Sequence, residues 1–202
     1  MKTAFLILIG LFGFYQNTFP QSTKKLERSE TAPQFSTIDV YGNTIKLSDF
    51  KGKKVLLNFY RSVGCPVCNL YFHEVQQYAD TLKQKNVIVI SIYESPATQM
   101  KKYLEGEKFY SLMIPDSTEQ LYHLYKVQRS WWKMFKANFT GLYGKIKKGY
   151  KLYKERLKYD AHLNRIGADF LIDENGKLVF AYYGKYFGDH IHLDKLKAYL
   201  ND

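Results

Sequence analysis

The chain has 202 residues, 46% of them apolar, and a formal charge of +11. That length suits one substantial domain and is short for two, and the apolar share is that of a globular protein. The positive excess bears on partners and solubility rather than on fold, and eighteen tyrosines with fourteen phenylalanines put rings both in the core and on the surface.

Met1-Lys2-Thr3 leads into the apolar run Ala4 to Phe14. The run is too short to span a bilayer comfortably and has the character of a secretory h-region. A small-x-small cleavage pattern is missing from Tyr15 to Ser22, so an uncleaved anchor is the other reading. Residues 1–22 are assigned to a signal peptide or anchor, which makes the protein an exported one, periplasmic or membrane-associated. No later stretch is apolar enough for a membrane helix. Residues 23–31 read as a polar tether and residues 32–202 as the domain.

Ser36 to Val40 and Thr44 to Leu47 flank Tyr41-Gly42-Asn43, a hairpin pattern. Val55 to Tyr60 is an apolar strand. Val67, Leu70, Tyr71, Val75, Tyr78, Ala79 and Leu82 recur every three or four residues, one face of a helix running to about Lys85. Asn86 to Ile92 is a strand buried on both faces. A helix through Gln99 and Leu104, a short strand at Tyr110 to Ile114, and a helix carrying Leu121, Leu124 and Tyr125 follow, the last with Ser117 or Thr118 as its cap. Ala168 to Ile172 and Leu178 to Tyr183 flank Asn175-Gly176, a strong hairpin signal, and a last helix carries Leu193, Leu196 and Leu200. Strands alternating with helices predict an α/β fold: a central mixed sheet with helices on both faces, an N-terminal β-hairpin, and a helical insertion before the last two strands.

That insertion, residues 129–165, holds eleven basic residues against Glu155 and Asp160, a net of +9, interleaved with Trp131, Trp132, Phe135, Phe139, Tyr143, Tyr150, Tyr153 and Tyr159. Rings among lysines suit a membrane surface or an acidic partner. Nucleic acid is the poorer partner for an exported protein. The simpler expectation is a helical pair whose rings pack on the sheet while its lysines face solvent.

Cys65 and Cys68 are the only cysteines, spaced Cys-x-x-Cys where the 55–60 strand meets the helix. A helix N-terminus stabilises a thiolate, so this junction favours thiol chemistry. A structural disulfide here would close too small a loop to constrain the unfolded chain much. Pro66 suits the first helical turn. Cys65 is expected at the cap with the better solvent access, and Cys68 within the first turn.

Three stretches resemble the alkyl hydroperoxide reductase and thiol-specific antioxidant (AhpC/TSA) group, the peroxiredoxin-like branch of the thioredoxin superfamily: Ala32-Pro33-x-Phe35 through Leu47 to Lys53, Asn58-Phe59-Tyr60-Arg61 with Gly64 to Asn69, and Gly167 to Lys177 running on to Gly188-Asp189-His190. The resemblance implies a thioredoxin-like fold and a thiol oxidoreductase that reduces peroxides through a Cys65–Cys68 disulfide renewed by an external thiol reductant. It implies no cofactor and no metal. Laid on the peroxiredoxin pattern Pro-x-x-x-Thr-x-x-Cys, Arg61 stands at the Pro, Cys65 at the Thr and Cys68 at the attacking Cys. A thioredoxin alignment makes Cys65 the nucleophile and Cys68 the resolving thiol, and Gly167-Ala168 replaces the cis-proline of that family. The peroxiredoxin arginine has Arg61 as its nearest match, a third candidate catalytic residue.

Protein disulfide exchange through the same two sulfurs is the alternative function, and a non-enzymatic binding module built on the 129–165 segment a further one. His73, His190 and His192 with the two cysteines follow no zinc-site spacing. Asp189 and His190 carry no assigned role.

Overall fold

The computed structural model describes residues 24–105, 107–152 and 158–201, so the 1–22 assignment lies outside the described residues. Strand β3 (Lys54–Phe59) is the centre of a five-stranded sheet ordered β5-β4-β3-β6-β7. Strands β4 (Val87–Tyr93) and β5 (Leu112–Pro115) run parallel in register with it, whereas β6 (Ala168–Ile172) and β7 (Leu178–Tyr183) close the other side antiparallel. This is the thioredoxin-like mixed sheet that the alternation of elements predicts.

The period-two rule explains why β3 is central. Val55, Leu57 and Phe59 enter one apolar cluster, and Leu56 with Tyr60 enters the other. Both faces are therefore buried. Helices α1 (Pro66–Gln77), α2 (Ala79–Gln84), α3 (Ala97–Leu104) and α7 (Leu193–Asn201) cover the Leu56 side. Helix α4 (Gln120–Leu124) and the β1–β2 hairpin (Ser36–Ile38 with Thr44–Lys46) lie on the Phe59 side. Among the described residues no helix is long and apolar enough to cross a membrane.

Three local expectations change. The long helix after Cys68 breaks at Tyr78 (φ −94°, ψ 5°), whose N–H turns to the Val75 carbonyl three residues back at 3.1 Å. The apolar spacing continues through the break because it records which face is buried, not the backbone path. The cap of α4 is neither Ser117 nor Thr118. Glu119 sits in the left-handed region (φ 59°), which swings Asp116 under the helix, and its two oxygens accept from the N–H groups of Gln120, Leu121 and Tyr122. The polar 23–31 stretch, expected to be loose, is in its described part bonded along β7: Ser29 N–H to Leu178 O, Leu178 N–H to Glu30 O, and Leu26 N–H to the Tyr183 hydroxyl. An edge strand leaves backbone groups free for such pairing.

The insertion is a compact unit with its ends zipped together. Arg129 and Arg165 form an antiparallel bridge, flanked by Ser130 N–H to Asn164 O and Ile166 N–H to Gln128 O. Between them stand α5 (Trp131–Lys136) and α6 (Leu142–Leu152). Helix α6 lies on the start of α1, and the contact is so close that a Cβ on Gly149 would fall 2.0 Å from the Pro66 carbonyl oxygen. Leu142, Ile146 and Gly149 share one helical face and fill this interface. The expectation that the aromatic residues pack inward is thus overturned. Only small and aliphatic side chains fit the narrow gap, and the rings of Trp131, Trp132, Phe135, Phe139, Tyr143 and Tyr150 are exposed.

Gly149→Ala is expected to lift α6 off Pro66, at a cost of about 1–3 kcal/mol for overpacking. A lower melting temperature together with faster alkylation of the native thiols is the signature to look for.

Candidate active site

Strand β3 ends at Phe59, and the chain then makes a tight loop to Cys65. Cys65 N–H bonds the Ser62 carbonyl at 3.0 Å, Asn69 Nδ2 donates to Val63 O at 2.8 Å, and Val63 N–H reaches Ser95 Oγ at 3.0 Å. Cys65 (φ −90°, ψ 112°) is the N-cap of α1, with Pro66 in the first turn, and its sulfur accepts the Cys68 backbone N–H at 3.4 Å. Both thiols are free. The strand-loop-helix delivery predicted for them is present, but the expected difference in access is not: Cys65 is 0% and Cys68 3% exposed. The insertion roof accounts for that burial, since α6 rests on the proline between the two cysteines.

Arg61 lies against the site. Its Nη2 donates to Cys65 Sγ at 3.4 Å and its Nη1 to the Leu163 carbonyl at 2.7 Å. The guanidinium is sandwiched between Phe187 and Tyr159, 4.0 and 4.5 Å from the ring centroids. Nε is buried without a protein hydrogen-bond partner. Burial opposes a charge on Cys65, but the hydrogen bond from the Cys68 thiol, the Arg61 charge and the Cys68 N–H outweigh it and lower the thiol to about 6. Cys68 goes the other way: burial first, then its bond to Cys65 and the charge there, push it well above the usual thiol value. One sulfur is thereby poised as the thiolate and the other as its hydrogen-bond donor. Arg61 itself is held above its usual value, the two cysteines outweighing the effect of its burial.

A strap formed by residues 158–165 closes the remaining side, and nothing in the sequence patterning singled it out. Tyr159 and Leu163 hold Arg61, as above. Asp160 Oδ1 accepts from Ser62 Oγ at 2.6 Å and Ser95 Oγ at 2.7 Å, tying the strap to the cysteine loop. His162 N–H donates to Glu94 Oε2 at 2.7 Å, and Arg165 pairs with both Glu94 and Glu119. The one available signal was Asp160, one of two acids inside an otherwise basic run. Glu94, Glu119 and His162 stand close enough to suggest a cation site, but Arg165 already occupies both carboxylates.

The histidines do not gather at the cysteines. His190, its side chain buried, donates from Nδ1–H to the Asp169 carboxylate at 2.9 Å and stacks on Tyr71 at 4.2 Å, while exposed His192 pairs with Asp194. Asp169 also accepts from Asn58 Nδ2 at 2.8 Å and Ile191 N–H at 2.8 Å, joining β3, β6 and the C-terminal segment just below the loop. This explains Gly167-Ala168 where a proline was looked for: a Cβ on Gly167 would meet the His190 ring at 2.6 Å. Asp189 fixes a turn through Tyr182 OH and Lys185 N–H.

A dithiol at the first strand-to-helix junction of a mixed sheet, with a guanidinium on one sulfur, defines a thiol-active protein of the thioredoxin class. The AhpC/TSA family model matches residues 29–181, and the chain belongs to that family. It is 37% identical over 89 residues to the thiol-disulfide oxidoreductase ResA of Bacillus thuringiensis subsp. konkukian, covering 43% of this chain and 50% of that one. It is 26% identical over 168 residues to peroxiredoxin Bcp of Bacillus subtilis, covering 82% and 90%. The crystal structure of peroxidoxin BcpB from Mycobacterium tuberculosis superposes with a TM-score of 0.60 at 18% identity, over 87% of this chain and 97% of that one, a likeness of fold. The chain spans about half the length of the ResA relative that it matches.

Thiol alkylation should rise with pH around a midpoint of about 6 for Cys65, since only the thiolate reacts. Arg61→Met removes an opposite charge next to that sulfur and should raise the midpoint by roughly 1–3 pH units. An unchanged midpoint in the variant would show that the guanidinium does not set it.

Proposed function

We propose that this protein is a thiol-dependent peroxidase in which Cys65 attacks the oxidant and Cys68 resolves. The observation that carries the reading is a guanidinium placed on the sulfur of a low-pKa cysteine inside a closed site. At pH 7 a thiol of pKa about 6 is roughly nine-tenths ionised. Its sulfur attacks the nearer peroxide oxygen. The S–O bond forms, the O–O bond breaks, and the departing oxygen takes a proton to leave as alcohol or water. The Cys68 thiol then condenses with the Cys65 sulfenic acid, forming the disulfide and releasing water. An external thiol reductant supplies two electrons and two protons to return both sulfurs to thiols.

Arg61 has two parts in this scheme. Its charge keeps Cys65 ionised, and its unpaired Nε–H is a donor for an oxygen of the oxidant as negative charge grows there. The roof supports a small substrate. With both sulfurs covered by α6 and the strap, an oxidant of a few atoms needs a far smaller opening to reach them than the disulfide of a folded protein does.

Protein disulfide exchange is the second reading, supported by the likeness to ResA and by Cys65 as the N-cap with its partner thiol in the first turn. It requires the strap to swing away before a mixed disulfide can form on Cys65. Export rests on the apolar N-terminal run, with residues 1–22 as signal or anchor and 32–202 as one domain carrying the 129–165 insertion. That insertion is the part of the chain offered to a membrane surface or an acidic partner.

Peroxide turnover should vanish in Cys65→Ser. Cys68→Ser should complete one turnover and accumulate a sulfenic acid on Cys65, visible by dimedone trapping and mass spectrometry. Sulfenic acid on Cys68 in the Cys65→Ser protein would reverse the order of attack. A mixed disulfide with a protein substrate, formed by Cys68→Ser faster than it reacts with hydrogen peroxide, would favour exchange. Full biological activity without either thiol would leave only a binding module.

A further inference from the structure

We propose that the outward face of the insertion docks on an anionic lipid bilayer. Six large rings between residues 131 and 150 stand in solvent, with Trp131 65%, Trp132 72%, Phe139 76% and Tyr143 77% exposed. Three of them form a cluster: Trp132 stacks on Phe135 at 6.0 Å and Phe135 meets Phe139 edge-on at 5.5 Å. A concentrated apolar surface of this kind marks an interaction site on a water-soluble fold. From Arg129 to Leu152 the chain carries seven basic residues and no acidic one, and Lys136, Lys147, Lys148 and Lys151 are exposed among the rings.

The charge pattern names the occupant. Rings that settle at headgroup depth, set among lysines that meet lipid phosphates, are the two elements of interfacial membrane binding. Protruding rings of several sizes call for a surface that reshapes around them, as fluid lipid does.

The course of the chain points the same way. Lys25 Nζ lies over the Tyr183 ring at 4.8 Å and Lys133 of α5 donates to the carbonyl of the next residue, Gly184, at 2.6 Å, so the start of the described chain lies next to α5. The apolar run Ala4 to Phe14 joins this point through residues 15–23, at most about 30 Å of chain. The apolar N-terminal sequence is thus tethered to the fold next to the helix that carries Trp131 and Trp132. On the opposite side α6 rests on Pro66, so the docked protein would hold its thiol site one helix, about 10 Å, from the lipid. The docking itself does not depend on which thiol reaction the site performs.

Trp131 and Trp132 are the only tryptophans, so their emission reports on this patch and on nothing else in the chain. The full-length protein is titrated with vesicles of phosphatidylglycerol and phosphatidylcholine, and with vesicles of phosphatidylcholine alone. The expected result is a blue shift and protection from iodide quenching with the anionic vesicles, reversed by high salt and absent with phosphatidylcholine alone. Combined Phe135→Ser, Phe139→Ser and Tyr143→Ser keeps both tryptophans and should weaken vesicle binding by about tenfold. Its Cys65 alkylation profile should stay as in the wild type, which reports an intact fold. No shift with anionic vesicles would overturn the proposal, and so would an equal shift with phosphatidylcholine alone. A shift already present without lipid would assign the patch to a second copy if it grows with protein concentration, and to the chain's own N-terminal run if it does not. A shift produced by polyglutamate but not by vesicles would assign it to an acidic protein.

Discussion

A guanidinium in a protein interior must be surrounded by acceptors and charge before it is tolerated there. Arg61 meets this demand with a sulfur, a carbonyl and two ring faces, supplied by three separate stretches of chain. Strand β3 ends at Phe59, Tyr60 fills the core, and Arg61 turns towards the cysteines. The thiolate character of Cys65 rests on the Cys68 thiol and then on that charge, and the position of the guanidinium depends on the strap. The strap in turn depends on Asp160 reaching the two serines, and on Arg165 anchoring its end to Glu94 and Glu119. Burial alone would have driven both thiols to high pKa values. The Arg61 charge favours ionisation of both; the fold separates them by giving Cys65 the donor thiol, the Cys68 N–H and the Nη2 hydrogen bond.

Much of the framework could be read from residue patterns because it is local. Val55 to Tyr60 and Val87 to Ile92 announce buried strands by composition, and Asn175-Gly176 marks its hairpin by turn chemistry. The Cys-x-x-Cys junction follows from a strand pattern meeting a helix pattern. What escaped is non-local. Arg61 and Leu163 are 102 positions apart, and Ser62 and Asp160 are 98 apart; no periodicity links them. The exposure of the insertion's rings was missed for a related reason. Hydrophobicity predicts burial on average, but the gap over Pro66 selects for size, and glycine and leucine win it over tryptophan. The cap of α4 was misplaced because the serine and threonine are next to the helix in sequence, while a left-handed Glu119 brings Asp116 next to it in space.

A second polar centre underlies the site without touching the sulfurs. Asp169 is fully buried and has its oxygens bonded by Asn58, His190 and the Ile191 N–H. These bonds cross-link β3 to β6 directly beneath the cysteine loop and fix the C-terminal segment against Tyr71. A thioredoxin-like scaffold with a proline at position 167 would lose the space that His190 occupies. The two features exclude each other, and this chain has taken the histidine.

The insertion leaves the body of the fold after Gln128 and returns at Ile166, two residues that hydrogen-bond each other. A segment whose ends already touch adds little strain to the body that carries it, because its host sees the equivalent of a short turn. The thioredoxin-like body and its roof can therefore change at different speeds during evolution. Substitutions in α5, α6 and the strap can retune what reaches the sulfurs and what surface the protein meets, while the strands that deliver the sulfurs stay as they are. Access and address are written in one exchangeable cassette, and chemistry in another.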